Sequence, residues 1–391
     1  MAERTTVLIV GAGPAGLVLG NLLRAEGVDT LILERGSRHH VGNRARAGFL
    51  GANSVRVLTE HGLSKRMLQS GRTHGTCVFR YGDEEFALPY AERGRGESHF
   101  VYPQQELVTD LIDEYLDRGG ELRFGVTVTD VDPEKATVCF RDGDGESSGE
   151  SEAVGRFVVG CDGANGVTRA ALPPGVARHS HDHGIAWLAI LAAAPQSMAA
   201  VTYALHDNGF AGHMARNPRL TRYYLQLAPG DDPVAWTDER IWAELGERMR
   251  AGRFGALRQG PVVERRTVRL RSEVTDPIQH ARLFLAGDAA SVISPSAAKG
   301  ANLAIMAAEV LAHALTDAVR RGDEHALAAY SRTCLPRIWR AQEFSQWMID
   351  LLHEPVGPDA AFRGALRRAR LDSLRHSHAH QDFFAENYVG I

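Results

Sequence analysis

Apolar runs of strand length alternate with longer amphipathic stretches along this chain. Four runs, at residues 6–10, 30–33, 156–159 and 283–286, are mainly apolar. Such runs are typical of strands that are buried on both faces, as in a parallel sheet between helices. Residues 15–25 have a helical pattern, so the chain begins with a predicted βαβ unit. The pattern predicts an α/β fold whose parallel sheet is assembled from distant parts of the sequence.

The region between about residues 181 and 268 has a different character. Strands are expected at 187–191, 200–204 and 222–227, and an amphipathic helix at 240–250. We interpret this region as a substrate domain that interrupts the first one. The other predicted elements are a strand pair at 74–90, a helix at 104–117, strands at 126–129 and 136–140, a solvated turn at 143–152, an apolar helix at 301–320, helices to about 352 and an Arg-rich helical tail from 357.

A glycine-rich turn follows the first predicted strand. Gly11 permits the tight turn, Gly13 lets the backbone approach a pyrophosphate, and Gly16 lets the helix pack against the strand, with Ala15 between them. The helix N-terminus then directs free N–H groups and a partial positive charge at the phosphates. Glu34 ends the second strand, where a carboxylate can accept a hydrogen bond from a ribose. This motif alone does not distinguish NAD from FAD.

Two further segments point to FAD. Residues 160–163 read Gly-Cys-Asp-Gly and contain Asp162, and residues 286–290 read Ala-Gly-Asp-Ala-Ala and contain Asp288. Each follows a predicted buried strand, as the glycine-rich turn does. The three segments in this order indicate a flavin dinucleotide and therefore redox chemistry.

Composition and charge exclude several classes of protein. A chain of 391 residues is long enough for two domains, and a formal net charge of −4 gives no basic footprint for nucleic acid. Four separated cysteines form no C-x-x-C pair, so a redox dithiol and a cysteine zinc site are not expected. No secretory signal and no membrane-spanning apolar run is evident, and a cytoplasmic location is expected.

Two groups of alternating histidines raise the question of a metal site. They lie at residues 179, 181 and 183 and at 376, 378 and 380. Alternating histidines in a polar loop offer no closed ligand geometry, so solvated loops and no metal are expected. A serine hydrolase is not supported either, since no G-x-S-x-G motif is present.

Longer segments carry a specific resemblance across nearly the whole chain. The chain resembles the class A flavoprotein aromatic hydroxylases, and among them the hydroxybenzoate hydroxylases. The matching segments are residues 11–16, 33–35, 44–48, 160–163, 222–224, 282–290, 298–300, 337–339 and 386–390.

The resemblance implies a Rossmann-type FAD-binding domain with an inserted mixed-sheet substrate domain and a C-terminal helical region that supports a homodimer. The expected boundaries are 1–73, 98–180 and 269–352 for the FAD-binding domain, 74–97 and 181–268 for the substrate domain, and 353–391 for the C-terminal region.

The resemblance also implies how FAD is held. Asp288 would contact the ribityl and pyrophosphate region, Arg44 and Gln104 would contact the phosphate and ribityl parts, and Arg222 would bias the flavin between an inner and an outer position. Residues 295–302 would face the isoalloxazine. The implied FAD-binding residues are Gly11, Gly13, Ala15, Gly16, Glu34, Arg35, Arg44, Gln104, Asp162, Arg222, Asp288, Ala301 and Asn302.

The implied reaction is hydroxylation of an electron-rich aromatic ring. NAD(P)H reduces the flavin, dioxygen gives a flavin 4a-hydroperoxide, and its distal oxygen is transferred to the ring. A phenol reacts better as a phenolate, and an unperturbed phenol titrates near pH 10, so the site must favour the charged form. The resemblance assigns this task to Tyr203, which would bind the phenolic oxygen, Tyr388, which would pass the proton on, and His74, which would exchange it with water. Pro295 would lie against the reacting ring.

At the carboxylate end of the substrate, the sequence departs from the family pattern. Arg216 and Tyr224 match residues that bind a benzoate carboxylate, a task that suits a planar guanidinium. Met214 replaces a serine, and Gly212 replaces a bulky leucine beside the ring. We expect an acidic aromatic substrate, with space at Gly212 for an added substituent as in 3-amino-4-hydroxybenzoate.

The reductant is the least determined partner. Arg46, Arg169 and Arg271, with Arg35, match basic positions of the family's reductant-binding surface. NADPH is favoured, with NADH or use of both as the alternative.

Two other functions remain open from the sequence. An FAD-dependent dehydrogenase or oxidase that inserts no oxygen would share the dinucleotide motif, but it gives no reason for the three proton-path residues and Arg216. A flavin-binding regulator without catalysis would not need them either.

Overall fold

The structure, a computed structural model, describes residues 3–43, 48–143 and 149–390. The predicted site residues Arg44 and Arg46 lie outside these ranges. The strands in chain order are β1 (Glu3–Arg4), β2 (Val7–Val10), β3 (Thr30–Glu34), β4 (Phe49–Leu50), β5 (Arg72–His74), β6 (Cys77–Tyr81), β7 (Glu84–Leu88), β8 (His99–Val101), β9 (Glu121–Phe124), β10 (Val126–Asp132), β11 (Thr137–Asp142), β12 (Glu150–Val154), β13 (Phe157–Gly160), β14 (Ala177–Ala192), β15 (Val201–Leu205), β16 (Ala211–Asn217), β17 (Leu220–Leu227), β18 (Val262–Asp276), β19 (Gln279–His280), β20 (Leu283–Leu285) and β21 (Ser291–Val292).

The helices surround two large sheets. They are α1 (Pro14–Ala25), α2 (Arg38–Asn43), α3 (Ala52–Glu60), α4 (Lys65–Ser70), α5 (Gln104–Asp117), α6 (Val167–Ala170), α7 (Asp238–Arg248), α8 (Ala251–Phe254), α9 (Gly300–Arg321), α10 (His325–Ala328), α11 (Tyr330–Leu352), α12 (Ala360–His376) and α13 (His378–Val389). Short 3₁₀ turns are formed by Tyr90–Glu92, Pro233–Ala235, Gly287–Ala289 and Pro295–Ala297.

The first large sheet is the predicted parallel one. Its strand order is β19-β20-β13-β2-β3-β9, and every neighbouring pair is parallel except β19 with β20. Strands β2 and β13 are buried along their whole length, which explains their continuous apolar sequences. The sheet draws its strands from three separate parts of the chain, at residues 7–34, 121–160 and 279–285, so the expectation of an α/β fold with a discontinuous dinucleotide-binding sheet is confirmed.

The second large sheet is mixed and has eight strands. Its order is β21-β18-β14-β17-β16-β15-β6-β7, and β15 with β6 is the parallel pair. Side chains alternate between its faces. One face packs Tyr223 against Trp236 and Leu245 around α7, and the other carries Tyr203 and Met214. Four-stranded (β1-β12-β11-β10) and three-stranded (β4-β8-β5) sheets complete the structure.

Helix α13 brings the end of the chain back to the second sheet. Its buried residues include Phe384 and Tyr388, which pack in the same core as Tyr203 and Phe79. The Tyr388 and Phe384 rings stack with centroids 4.8 Å apart. The C-terminal region therefore supplies part of the wall of the substrate side of the protein.

Several sequence-based expectations were wrong in detail. Strands β16 and β18 were not predicted, although β18 pairs with β14 over most of its length. The first histidine group lies on β14 rather than in a solvated loop, and His183 Nε2 is 3.0 Å from the Ser272 hydroxyl. All three histidines of the second group lie on helices, His376 at the end of α12 and His378 and His380 at the start of α13. Residues 150–152 are part of β12 rather than a turn. Polar residues on the exposed parts of β14 and β12 resemble a loop in composition, which explains the errors at these two strands.

One helix satisfies the length and composition expected of a membrane span, contrary to the expectation that no such stretch exists. Helix α9 has 22 residues, and 67 % of its most apolar window is buried inside the protein. It packs against α1, and its residues Leu303, Ala307 and Leu311 belong to the core of the first sheet. We interpret it as a core helix.

Candidate active site

The three segments predicted to bind FAD meet at the carboxyl ends of adjacent strands. The Cys161 N–H donates to the Val10 carbonyl at 2.7 Å, and the Ala286 N–H donates to the Gly160 carbonyl at 2.9 Å. A Cβ atom added to Gly287 would lie 3.2 Å from Ala15. Because β20, β13 and β2 are parallel neighbours, their following turns lie side by side. Ligands of open α/β sheets bind at this edge.

Two glycines of the first turn have no room for a side chain. Gly11 has φ of +104°, and a Cβ there would lie 2.5 Å from the Cys161 carbonyl oxygen. A Cβ at Gly16 would lie 2.1 Å from the Gly11 carbonyl oxygen. At Gly13, the N-cap of α1, the nearest atom would be 4.0 Å away. Gly11 and Gly16 are therefore required by the fold, whereas Gly13 leaves space in front of the N-terminus of α1.

The two carboxylates near this turn have different surroundings. Glu34 accepts hydrogen bonds from the N–H groups of Ala12 at 2.8 Å and Gly36 at 2.7 Å. Asp162 accepts from the backbone N–H and the hydroxyl of Thr168, and burial raises the pKa of its carboxyl. Glu34 thus ends β3 at the edge where a ribose is expected, while Asp162 stabilises the start of α6.

The turn that contains Asp288 is held by a buried arginine. Arg169 donates from Nε to the Ala289 carbonyl at 2.8 Å, from Nη2 to the Asp288 carbonyl at 2.6 Å and from Nη1 to Glu273 at 2.6 Å. Only 7 % of Arg169 is exposed. These contacts argue against the predicted reductant-binding role of Arg169 and favour a role in shaping the FAD site.

A buried guanidinium tests whether the site fits FAD. Arg222 on β17 is 2 % exposed and lies 3.5 Å from Glu264. Its Nε and Nη1 atoms have no hydrogen-bond partner within the described residues. Buried donors without acceptors are costly, so this position requires a group that carries acceptors, as FAD does. The glycine turn and Arg222 together fit the cofactor.

Residues at the start of α9 link the FAD side to the substrate side. The Asn302 side chain accepts from the Gly51 N–H and the Ser54 hydroxyl and donates to the Phe49 carbonyl at 3.1 Å. Its side chain is thus engaged within the protein, so a cofactor contact at Ala301 and Asn302 remains a prediction for their backbone. Pro295 opens the turn before this helix.

Tyr203 and Tyr388 form a buried hydroxyl pair on the substrate side. Their hydroxyl oxygens are 2.6 Å apart, and burial raises the pKa of both, so both are protonated near neutral pH. They line a small cavity between β15, β16, β17 and the turn after β21. Other residues that line it are Trp187, Phe210, Met214, Tyr224 and Pro295.

Three of the predicted substrate-binding residues share one face of the sheet with Tyr203. Tyr203 is paired with Gly212, and Gly212 is paired with Tyr224. Met214 follows two residues after Gly212 on the same strand, so it points to the same side. The register shifts between Ala215 and Asn217, so alternation does not fix the direction of Arg216. Arg216 is half-buried, and burial lowers its pKa to about 10, partly offset by Tyr224.

Phe210 narrows the space expected at Gly212. An added Cβ would lie 2.9 Å from Phe210 Cζ and 3.4 Å from Tyr224. The Phe210 ring lies 5.4 Å from Trp187 and 6.2 Å from Tyr203, centroid to centroid. Gly212 nevertheless lines the cavity, so room there for a ring substituent stays a prediction.

His74 does not contact Tyr388 directly. Its Nδ1 lies 2.7 Å from the Tyr90 hydroxyl, and its Nε2 accepts from the Val201 N–H at 3.1 Å. Burial lowers the pKa of His74 to about 4, so its ring is neutral near pH 7. His99 lies on the other side of the Tyr90 hydroxyl at 3.3 Å and packs edge-on against Tyr388. Tyr90 and His99 were missed, since neither stands in a motif.

A buried lysine was also missed. Lys299 is 2 % exposed, and its Nζ donates to the Tyr388 carbonyl at 2.9 Å. Burial lowers its pKa to about 7. An ammonium group that loses its proton easily therefore contacts the backbone of Tyr388. Its place in the matching segment 298–300 was the available signal.

The structure says less about the roles of the other residues that were predicted to bind FAD or the reductant. Gln104 begins α5, and Arg35 is exposed after β3. Arg271 is partly exposed and lies 3.2 Å from Glu273. Their contacts with FAD or a nicotinamide remain predictions. Within the described residues, no group of three or more His, Cys, Asp or Glu side chains is arranged to hold a metal ion.

Comparison with known proteins identifies the family of the chain. The family model described as FAD binding domain matches residues 4–345. The chain is 34 % identical over 394 aligned residues to p-hydroxybenzoate hydroxylase of Acinetobacter baylyi, covering 99 % of this chain and 96 % of that protein. It is 28 % identical to a 3-(3-hydroxy-phenyl)propionate/3-hydroxycinnamic acid hydroxylase of Mycolicibacterium gilvum, over 83 % of this chain and 56 % of that one.

Solved structures show the same fold. p-Nitrophenol 4-monooxygenase PnpA from Pseudomonas putida superposes with a TM-score of 0.81 over 100 % of this chain and 99 % of that chain, at 18 % identity. Anhydrotetracycline hydroxylase OxyS from Streptomyces rimosus gives 0.78 at 23 % identity, covering 99 % and 76 %. The chain belongs to the FAD-dependent aromatic-ring monooxygenases of class A. Within that class it is similar to p-hydroxybenzoate hydroxylase over nearly its whole length.

Proposed function

We propose that the protein hydroxylates the ring of a phenolic acid of the 4-hydroxybenzoate type, with NAD(P)H as reductant. The observation that carries this proposal is the Tyr203–Tyr388 hydroxyl pair at 2.6 Å in a buried cavity whose sheet also carries Arg216. A donor pair at one end suits a phenolic oxygen. A guanidinium further along the same strand suits a carboxylate.

The protein residues bind, orient and ionise the substrate. Tyr203 donates to the phenolic oxygen or accepts its proton, and Tyr388 receives a proton in turn through the 2.6 Å contact. Arg216 holds the carboxylate and fixes which ring carbon faces Pro295. Bound FAD would supply the reduction of dioxygen and the transfer of one oxygen atom to the ring. The Gly11 turn, Glu34 and Arg222 would hold it.

The identity of the ring substituents is part of this proposal. Phe210 narrows the space beside Gly212, which favours unsubstituted 4-hydroxybenzoate over a bulkier ring. Met214 places a flexible thioether in the cavity, and such side chains adapt to substituents. 3-Amino-4-hydroxybenzoate therefore stays the alternative that the assay must include.

The test is a substrate panel with the purified, FAD-loaded enzyme. Loss of NADH and NADPH, release of peroxide and product mass are measured with 4-hydroxybenzoate, 3-amino-4-hydroxybenzoate and benzoate. We expect a product heavier by one oxygen with little peroxide for a phenolic acid and none for benzoate, which cannot form a phenolate. NADPH is the expected better reductant. Stoichiometric peroxide with every phenolic acid would contradict the proposal.

We also propose that two copies associate through the C-terminal region and that the protein works in the cytosol. On α12, Phe362 is 68 % exposed and Leu366 is 51 % exposed, an unusual exposure for large apolar side chains. The four cysteines, all within the described residues, are free thiols, which suits a reducing compartment. Sedimentation of the native protein and of Phe362→Asp tests the association, and cell fractionation tests the location.

A further inference from the structure

A second cavity adjoins the first one, which Tyr203 and Tyr388 line. It has a volume of about 130 Å³ and lies between β14, the end of β17, the end of α11 and α12. Its lining includes His353, whose Nε2 accepts a hydrogen bond at 2.7 Å from Nε1 of Trp187, a residue of the first cavity. Within the described part of the chain the two cavities share no lining residue, so a ligand in the second cavity does not contact the tyrosine pair.

Arg367 on α12 lines the second cavity and has donors that the protein does not use. It is 3 % exposed, and its Nη2 donates to Glu354. Its Nε and Nη1 atoms are buried and have no hydrogen-bond partner among the residues that the structure describes. Arg222 shows the same pattern at the site that fits FAD. Buried donors without acceptors are costly, so Arg367 also indicates a ligand that carries acceptor atoms.

The charges of the second cavity favour an anion. The charged lining residues are three arginines and two carboxylates, namely Arg363, Arg367, Arg370, Asp350 and Glu354. The arginines are spaced by four and three residues, so they lie on one face of α12. Glu354 accepts from Arg367, and Asp350 lies 3.8 Å from Arg370. Arg363 lies 3.9 Å from Asp359, which does not line the cavity, and both are exposed, so water weakens this pair. The lining therefore has one positive charge in excess.

Apolar side chains form much of the remaining lining. Leu227 and Ile349 are buried, whereas Val356 is 52 % and Leu366 is 51 % exposed, which places the last two at the opening of the cavity. A cavity of this size holds a molecule of roughly the size of one benzene ring. The lining therefore suits a small anion that also has an apolar body.

We propose that the second cavity binds a small carboxylic acid with an apolar body. The carboxylate accepts hydrogen bonds from the unpartnered nitrogens of Arg367, and the apolar body packs against Leu227 and Ile349. His353 does not take the role of Arg367, because its Nε2 accepts from Trp187 and its Nδ1 donates to the Ile349 carbonyl at 2.8 Å. This second site does not depend on the chemistry proposed for the first cavity.

The experiment counts the benzoate sites of the FAD-loaded protein by equilibrium dialysis with radiolabelled benzoate. We expect two sites in the wild type, one in each cavity. Arg367→Met should weaken binding in the second cavity by about tenfold or more, because the carboxylate loses its charged donor. It should not change the other site, which Arg216→Ala weakens. Arg368→Met, at an exposed arginine of the same helix, should leave both sites unchanged.

Matched probes and a second pair of variants keep the test decisive. In Arg216→Ala, benzamide, which has no charge, and acetate, which has no ring, should each bind the second cavity about tenfold or more weakly than benzoate. Leu366→Glu adds a negative charge at the opening, and Leu366→Gln is its neutral match. Only Leu366→Glu should weaken benzoate binding there. Because Leu366 is exposed, this pair decides if Arg367→Met does not fold.

The outcomes separate the second site from the proposed function. A single benzoate site that Arg216→Ala weakens and Arg367→Met leaves unchanged would overturn the second site, because water alone then satisfies Arg367. A single site that only Arg367→Met weakens would support the second site and count against the proposed function. A second site that appears only in Phe362→Asp would contradict the proposal as well, because another copy of the chain would then fill the cavity in the native protein.

Discussion

The turn after β2 is suited to bind a dinucleotide through backbone atoms. The cavity beside Tyr203 is suited to bind a substrate through side chains from several elements. The turn is local in sequence, and Gly11 and Gly16 are required by contacts under 3 Å with neighbouring backbone. The cavity combines β15, β16 and β17 with α13, and Tyr203 meets Tyr388 across 185 residues. The glycine turn is common to many dinucleotide-binding proteins. The cavity must therefore determine which substrate this protein selects.

The largest effect is expected in the turn. Gly11→Ala should abolish FAD binding and lower the free energy of unfolding of the apoprotein by roughly 2–4 kcal/mol, because its φ is positive and its Cβ meets the Cys161 carbonyl. Gly13→Ala is the matched control. It has room within the protein, so the apoprotein should keep its stability while FAD affinity falls. Calorimetry measures the stability of the apoprotein, and flavin titration measures the affinity for FAD. Equal destabilisation by Gly11→Ala and Gly13→Ala would contradict the claim that the fold requires only Gly11.

In the cavity, the largest effect is expected from Tyr203→Phe. Loss of the hydroxyl should slow hydroxylation by about 10²–10⁴-fold, the usual contribution of a positioned proton-transfer group. FAD binding should be unchanged, because Tyr203 lies on β15 of the second sheet, away from the glycine turn after β2. Single-turnover product formation measures the rate, with Tyr81→Phe on the neighbouring strand as control. A normal rate in Tyr203→Phe would remove this tyrosine from the chemistry.

At the other end of the cavity, the expected loss is in substrate affinity rather than in the rate of the chemical step. Arg216→Ala should weaken binding of 4-hydroxybenzoate by roughly 2–5 kcal/mol, since a substrate carboxylate would be left without its partner. Binding of 4-methylphenol, which has no carboxylate, should change little. Arg219→Ala, an exposed residue beyond the end of the same strand, serves as control. The account of Arg216 fails if both ligands lose affinity equally.

The smallest effect is a pH dependence caused by Lys299. Its folded pKa is about 7, against 10.5 for an ordinary lysine. Above about pH 10.5 it is neutral in both states. As the pH falls towards 7, only the unfolded chain binds the proton, so stability of the apoprotein should fall by on the order of a few kcal/mol. Below about 7 both states are protonated and the loss stops.

Lys299→Met should remove this decline. The melting temperature of the variant relative to wild type should rise as the pH falls from 10 to 7 and then stay constant. Lys65→Met, at an exposed lysine, should show no such trend. If the difference in melting temperature between Lys299→Met and wild type stays constant from pH 10 to 7, the pKa of Lys299 is not lowered in the folded protein.

The sequence predicted the backbone-based site better than the side-chain-based one. Four strands of the first sheet could be predicted because each is a short apolar run, and three of the following turns could be predicted because each contains glycine. The strands are β2, β3, β13 and β20, and the turns are those after β2, β13 and β20. Tyr203, Tyr388 and Arg216 could be predicted only through resemblance. Tyr90 and His99 lie nine residues apart on elements that meet Tyr388 only after folding, so no local pattern reveals them. The packing of the Phe210 ring beside Gly212 could not be predicted either, because only the structure shows that the two residues are in contact.

The central claim is that one buried cavity ionises a phenol and presents it to FAD for oxygen insertion. The most direct measurement is the mass of the product formed by the FAD-loaded enzyme with 4-hydroxybenzoate, NADPH and ¹⁸O₂. The account predicts that one ¹⁸O atom is incorporated into the ring for each NADPH consumed, with benzoate giving none. Consumption of NADPH that yields only labelled peroxide with every phenolic acid tested would contradict it.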